Sequence, residues 1–129
     1  MSKNSVIVLL MTKEPVKRVA DFLEKRLLIK LEKDPDPAWE GRILRYTGCG
    51  FRIRLDDNHE LEDDYGIAFS AYPIGISIES YRQGPQSIWE PLENSMAIYV
   101  GELLHKEFQC KCIVVENLAK VIHSFVKGK

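Results

Sequence analysis

Two strand-like segments joined by a glycine-rich loop constrain the fold most strongly. Residues 42–47 and 51–55 are separated by Gly48-Cys49-Gly50, and in the second segment apolar residues alternate with Arg52 and Arg54. Such alternation is typical of strands that have one buried and one solvated face. A three-residue loop with two glycines between strands predicts a β-hairpin, which requires antiparallel pairing.

The other periodic segments complete the predicted fold. Residues 5–11 form an apolar, β-branched run typical of a buried strand, and helical spacing begins after Thr12, the expected N-cap. Residues 27–31 fit either a continuing helix or a short strand. Further strands are predicted at 65–72, 76–81 and 110–115. A helix is predicted from Pro91 to Phe108, with an apolar stripe made of Leu92, Met96, Tyr99, Val100, Leu103 and Leu104.

The last segment has the clearest helical pattern. Asn117 is suited to an N-cap and Gly128 to the position after the helix. The predicted buried face consists of Leu118, Val121, Ile122 and Phe125. Taken in order, the elements predict one α+β domain over residues 1–129, an antiparallel or mixed sheet with about three helices on one face.

Composition indicates a cytoplasmic protein with a core of its own. A chain of 129 residues with 45% hydrophobic residues buries enough surface to fold without a metal or disulfide. The run Val6–Met11 is too short for the apolar region of a signal peptide, and no run is long enough for a membrane helix. Three cysteines cannot all pair within the chain, so we expect free thiols and a reducing compartment.

One acidic segment determines the sign of the net charge. The chain has 18 basic and 19 acidic residues and a formal charge of −1, which argues against bulk attraction to nucleic acid or anionic lipid. Residues 56–64, here called the acidic segment, contain no Lys or Arg. Its six acids are Asp56, Asp57, Glu60, Glu62, Asp63 and Asp64. The rest of the chain has 18 basic and 13 acidic residues, a net charge of 18 − 13 = +5.

The acidic segment has three interpretations. The first is a solvated loop, which is the structure that a run of charged residues most often forms. A calcium site is disfavoured because the spacing does not match an EF-hand loop and no glycine occupies the turn. A docking surface for a basic partner would relieve the mutual repulsion of the carboxylates. The loop and docking interpretations stay open, and the second makes the six acids the candidate partner-binding residues.

Residues that often carry chemistry are present without a catalytic motif. Cys110 and Cys112, two apart on a predicted strand, share one face and are expected to be packing residues. Cys49 is expected to be exposed and His59 to be a solvated loop residue. The basic face of Arg42, Arg45, Arg52 and Arg54 on the hairpin could hold phosphate, although alternating charge usually marks a solvated strand face. We therefore expect no catalytic residue, no cofactor and no metal site.

Other function classes remain compatible with the sequence. A small enzyme could assemble its site from dispersed residues such as His59, Cys49 and an arginine. A subunit of a larger assembly could use Trp39 or Trp89 as an interface aromatic, although packing is the commoner use of either. Self-association is also compatible with the sequence.

The stretch from Glu60 to Glu116 resembles a known class of small proteins. It runs from acids through two apolar strands to a helix ending in Leu103-Leu104-His105-Lys106-Glu107-Phe108, followed by Cys112-Ile113-Val114-Val115-Glu116. This pattern is similar to the cytoplasmic immunity proteins of bacterial contact-dependent inhibition and other polymorphic toxin systems. The resemblance implies binding and inhibition of a cognate toxin domain, often a nuclease, without direct nucleic-acid or membrane binding. It assigns no individual functional residue.

Overall fold

The computed structural model describes residues 6–33, 35, 43–48, 51–57, 63, 66–80 and 86–126, with only the backbone described for 86–89. These residues form an α+β fold with seven strands and two α-helices. The strands are β1 (Val6–Met11), β2 (Glu32–Lys33), β3 (Ile43–Gly48), β4 (Phe51–Asp57), β5 (Ile74–Ser80), β6 (Lys111–Glu116) and β7 (Lys120–Phe125). The helices are α1 (Val16–Leu27) and α2 (Gln86–Phe108), and a 3-10 turn spans Phe69–Ala71.

All seven strands belong to one antiparallel sheet in the order β2-β3-β4-β5-β1-β6-β7. The first strand pairs with β5 on one side and β6 on the other. Its residues from Val6 to Leu10 are all buried because both faces of the sheet are covered there. This double burial explains an uninterrupted apolar run where a half-buried strand would alternate.

Both helices pack on the same face of the sheet, as predicted. The core on that side joins Leu23 of α1 and Leu104 of α2 to Val8 of β1 and Ile76 of β5. Each fully buried aliphatic side chain of this kind contributes roughly 1.5–3 kcal/mol of burial free energy. We call the opposite side of the sheet the far face.

A connecting segment covers part of the far face. Ile67, Phe69 and Tyr72 are buried against β1 and β6, whose far-face residues are Ile7, Leu9, Ile113 and Val115. The predicted strand at 65–72 is therefore wrong in type, because Ile67 makes a single bridge and Phe69–Ala71 is a 3-10 turn. Alternation still placed Ile67 and Phe69 on one side, and both are buried.

The predicted hairpin is confirmed. Gly48 of β3 pairs with Phe51 of β4, and β4 continues to Asp57. The two strands pair with Ile43 opposite Asp56 and Leu44 opposite Leu55. Cys49 and Gly50 lie outside the described residues.

The C-terminal helix is the main error of the sequence prediction. Residues 120–125 form β7, paired with β6, so the described residues contain two α-helices instead of about three. Asn117 and Leu118 have φ of 54° and 56°, and the Ala119 N–H donates to Glu116 O at 3.1 Å. This geometry is a type I′ hairpin turn, in which asparagine is as favoured as it is at a helix cap. Leu118 and Val121, expected in the core, are exposed.

The helix boundaries also differ from the prediction. Thr12 Oγ1 accepts a hydrogen bond from the Glu14 N–H, whereas Pro15 is the N-cap of α1. That helix ends at Leu27 and is closed by the left-handed Leu28, so residues 28–31 neither continue the helix nor form a strand. The second helix begins at Gln86, which places Pro91 inside it.

The predicted apolar stripe of α2 is confirmed at Val100 and Leu104, with Met96 partly buried, and is wrong at Leu92 and Tyr99. Glu93, Ala97, Val100 and Leu104 are buried, whereas Leu92 and Tyr99 are exposed. The stripe had omitted Glu93 because it is an acid. Its carboxylate accepts a hydrogen bond from the Ser80 N–H at the end of β5, which satisfies a buried donor. Within the described ranges, no helix is long and apolar enough to span a membrane.

Candidate functional site

The acidic segment begins within the sheet. Asp56 and Asp57 are the last two residues of β4 and point to opposite faces because side chains alternate along a strand. Asp56 pairs with Gly75 and Asp57 with Ile74, and both carboxylates are partly buried. The first two acids of the segment are therefore fixed by the ladder, which a freely solvated loop would not provide.

Asp63 is held by a second contact. Its Oδ1 accepts a hydrogen bond from the Ser70 N–H at 2.9 Å, and Ser70 lies in the segment that covers the far face. This hydrogen bond, with a smaller contribution from the Ser70 side chain, lowers the pKa of Asp63 below the usual aspartate value. The Asp63 side chain is exposed and ionised at neutral pH.

The acidic segment is thus attached to the folded domain near both of its ends. Glu60, Glu62 and Asp64 lie outside the described residues, as does His59. The structure describes Asp56, Asp57 and Asp63 and connects each of them to β4, β5 or the 3-10 turn. The sequence indicated these acids, but Ser70 as the hydrogen-bond donor is a tertiary contact without a sequence signal.

The hairpin arginines share the far face of the sheet. Ile53 and Leu55 belong to the helix-side core, so the alternating Arg52 and Arg54 point the other way. Arg45 lies directly opposite Arg54 and therefore on the same side. We call these three exposed residues the arginine face. Arg42 lies outside the described residues.

Acids neighbour the arginine face in the sheet. Arg52 Nη1 forms an ion pair with Glu79 Oε1 at 2.9 Å, and Glu32 of β2 lies opposite Arg45. Along β4, the far-face residues are Arg52, Arg54 and then Asp56. The far face therefore changes from basic to acidic along one strand, and the acidic segment starts where the arginines end. Surfaces with both signs of charge favour one orientation of a complementary partner.

The thiols lie elsewhere in the molecule. Cys110 and Cys112 are both buried in the helix-side core, which confirms the predicted packing on one face. Their sulfur atoms are 3.8 Å apart and unbonded. Among the residues that the structure describes, no group of three or more His, Cys, Asp or Glu side chains could hold a metal ion. Cys49, Trp39 and the side chain of Trp89 are not among these residues.

The two described histidines have structural contacts. His105 of α2 has Nδ1 2.8 Å from Cys110 O, where it must donate because a carbonyl oxygen only accepts. His123 lies on β7, not on the helix predicted for it, and its ring is 4.4 Å from that of Phe125.

Comparisons with known proteins add no relative: no family model, no curated protein and no solved structure matches the chain.

Proposed function

We propose that this chain is an immunity protein of the cytoplasm that binds a cognate toxin domain and blocks its active site or substrate surface. The toxin domain in this proposal is a nuclease with a basic surface, and the chain acts by binding, without catalysis, cofactor or metal. The resemblance of residues 60–116 to immunity proteins supports the class of function. The attachment of the acidic segment to the sheet supports the site.

That attachment is the observation on which the proposal depends. The segment begins in the ladder at Asp56 and Asp57 and is hydrogen-bonded at Asp63, so these three carboxylates are held by the folded domain. A pre-ordered surface loses less conformational entropy on association than a free loop does. Nuclease active sites hold phosphates with Lys and Arg, and the carboxylates of Asp56 and Asp63, on or beside the far face, would occupy such a cleft as the nucleic-acid backbone does.

Attraction at a distance is the second part of the proposed mechanism. Exposed carboxylates raise the rate of encounter with a basic surface, and ionic strength weakens this effect as the Debye length shortens. The arginine face beside the acids would repel a wrongly oriented basic partner. It would also accept acidic residues at the edge of the partner's basic cleft.

The direct test is co-expression with the product of the neighbouring gene in the source genome as the candidate toxin. We expect a complex that co-elutes in gel filtration, inhibition of the toxin's nuclease activity, and survival of cells that carry both proteins. A variant with Asp56, Asp57 and Asp63 changed to Asn should inhibit poorly. An unbound, fully active toxin in the presence of the folded wild-type chain would contradict the proposal.

A further inference from the structure

The junction between α2 and β6 holds two thiols in contact. The helix ends at Phe108, Gln109 has φ of 52°, and Cys110 precedes β6, which contains Cys112. The Gln109 N–H donates to His105 O at 3.0 Å, and the His105 ring binds Cys110 O. These hydrogen bonds position the main chain so that the two sulfur atoms are 3.8 Å apart.

The two thiols differ in access. Cys112 is fully buried at 0% exposure, whereas Cys110 is 7% exposed and lines an open cleft of about 530 Å³. The cleft is also lined by Lys13, Lys111 and Glu14. A small solute in the cleft therefore meets Cys110 first, with Cys112 directly behind it.

The two thiols also differ in acidity. The hydrogen bond with Cys112 lowers the pKa of Cys110, while the same hydrogen bond and burial raise the pKa of Cys112. Cys110 is thus the sulfur that ionises first, and the thiolate is the reactive form of cysteine.

We propose that Cys110 and Cys112 form a reversible dithiol–disulfide site that hydroperoxides oxidise through this cleft. The Cys110 thiolate attacks one peroxide oxygen, the O–O bond breaks, and the released alkoxide takes a proton to leave as the alcohol. Cys110 becomes a sulfenic acid. The Cys112 sulfur then attacks Cys110 Sγ, the S–O bond breaks, and the departing hydroxide takes the Cys112 proton to leave as water. In total, two thiols are oxidised by two electrons and one hydroperoxide is reduced.

The backbone allows this closure. Formation of the bond requires the sulfur atoms to approach from 3.8 Å to about 2.05 Å. Cys112 is fixed by pairing with Leu10 and Phe125, whereas Cys110 lies before the first ladder residue of β6. Cys110 can therefore move toward Cys112 while the sheet stays paired. If the two cysteines were packing residues alone, peroxide would oxidise Cys110 without forming a disulfide, or the disulfide would form only after the protein unfolds.

The experiment uses the full chain with Cys49→Ser, which removes the third thiol. The folded protein is treated with hydrogen peroxide, quenched with catalase, unfolded in urea without reductant, alkylated in the unfolded state and weighed by mass spectrometry. Before peroxide we expect two alkylated thiols, and three in the wild type. After peroxide we expect no alkylation, the loss of two hydrogen atoms in mass, and full recovery with dithiothreitol. Trypsin cleaves after Lys106, Lys111 and Lys120, so the bond should join the peptides Glu107–Lys111 and Cys112–Lys120.

Two variants test the order of the steps. With Cys112→Ser, the sulfenic acid at Cys110 has no thiol to resolve it and should be trapped by dimedone. With Cys110→Ser, Cys112 should stay reduced under the same treatment because it is buried. Oxygen addition at Cys110 without the peptide cross-link in the Cys49→Ser protein would overturn the proposal. Unchanged thiols after peroxide would also overturn it.

Discussion

Phe125 of β7 packs its ring against Gly101 of α2. A β-carbon added at Gly101 would lie 3.1 Å from Phe125 Cε2 and 3.5 Å from Val114 Cγ2. The missing side chain in the helix therefore lets the edge strand approach closely. Phe125 joins the helix-side core through this contact, although a strand carries it where the sequence predicted a helix.

Substitutions at Gly101 should change the stability of the protein in opposite directions, depending on the size of the new side chain. Gly101→Ala should stabilise the protein by roughly 0.5–1 kcal/mol, because helix propensity improves and the half-buried Phe125 ring can shift by a few tenths of an ångström. Gly101→Leu should destabilise it by about 1–3 kcal/mol through overpacking. Urea unfolding measures both values. A loss above about 1 kcal/mol for alanine would mean that the ring is fixed in place.

The Phe125 side chain should contribute more than its neighbour Val121. Phe125→Ala should cost about 2 kcal/mol, below the roughly 3–5 kcal/mol of a fully buried phenylalanine, because the ring is only partly buried. Val121 is 41% exposed on the same strand, so Val121→Ala should cost less than about 1 kcal/mol. A helix with both residues on its buried face would give two large losses of similar size.

A glycine substitution in the type I′ turn distinguishes strand from helix, because the two structures predict opposite changes in the free energy of unfolding. Leu118 is 38% exposed with φ of 56°, a conformation that costs a branched residue about 1 kcal/mol. Leu118→Gly creates the Asn-Gly pair favoured in such turns and should stabilise the protein by about 1 kcal/mol. A helix would instead lose about 1 kcal/mol. Ala119→Gly is the matched control and should not stabilise.

The difference between the hairpin at residues 43–57 and the one at 111–125 explains what the sequence could predict. In the first, the glycine turn and alternating residues all favour strands, so local pattern was sufficient. In the second, Asn117 suits both a helix cap and a left-handed turn position. The spacing of Val121, Ile122 and Phe125 fits a helix and also fits a strand with a bulge, which the ladder places next to Val115. Pairing with β6 decided the outcome, and pairing is a long-range interaction.

The candidate site likewise contains features that local sequence pattern predicts and features that depend on tertiary contacts. Alternation placed Arg52 and Arg54 on one side of a strand, and composition singled out the acidic segment. The contact between Asp63 and Ser70 could not be predicted, because it depends on how residues 66–72 cover the far face. Burial of Glu93 on α2 could not be predicted for a similar reason, because an acid is buried only with a partner, and its donor, the Ser80 N–H, is a tertiary contact.

Asp63 should titrate below the usual range of an aspartate. Its folded pKa is depressed, so the Ser70 contact stabilises the protein above the unfolded pKa, and this contribution is lost as pH falls through the folded pKa. NMR titration of the Asp63 carboxyl carbon should give a low pKa, and the Ser70 amide shift should follow the same curve. Ser70→Ala keeps the N–H donor and should raise the pKa only part of the way. An ordinary pKa in the wild type would mean that the hydrogen bond does not form in solution.

Neutralising the described acids of the acidic segment should slow partner association. The variant Asp56→Asn, Asp57→Asn, Asp63→Asn changes the formal charge from −1 to +2 by removing three negative charges. The matched control, Asp21→Asn, Glu102→Gln, Glu107→Gln, makes the same change at exposed positions of α1 and α2. Because mutual repulsion is removed, the first variant should fold with unchanged or slightly higher stability.

Association rates with the cognate toxin domain then distinguish the effect of where the charges lie from the effect of the net charge. In the acid variant, association at low salt should slow by about tenfold or more and lose most of its dependence on ionic strength, because steering acts on the encounter. In the control, association at physiological salt should stay close to the wild-type rate, since charges far from the contact are screened beyond a Debye length of about 8 Å there. At low salt, where the Debye length is longer, association of the control should slow less than that of the acid variant. Equal effects in the two variants would mean that only the net charge matters. Unchanged affinity and salt dependence in the acid variant would make the segment a solvated loop and direct the search for an interface to the arginine face.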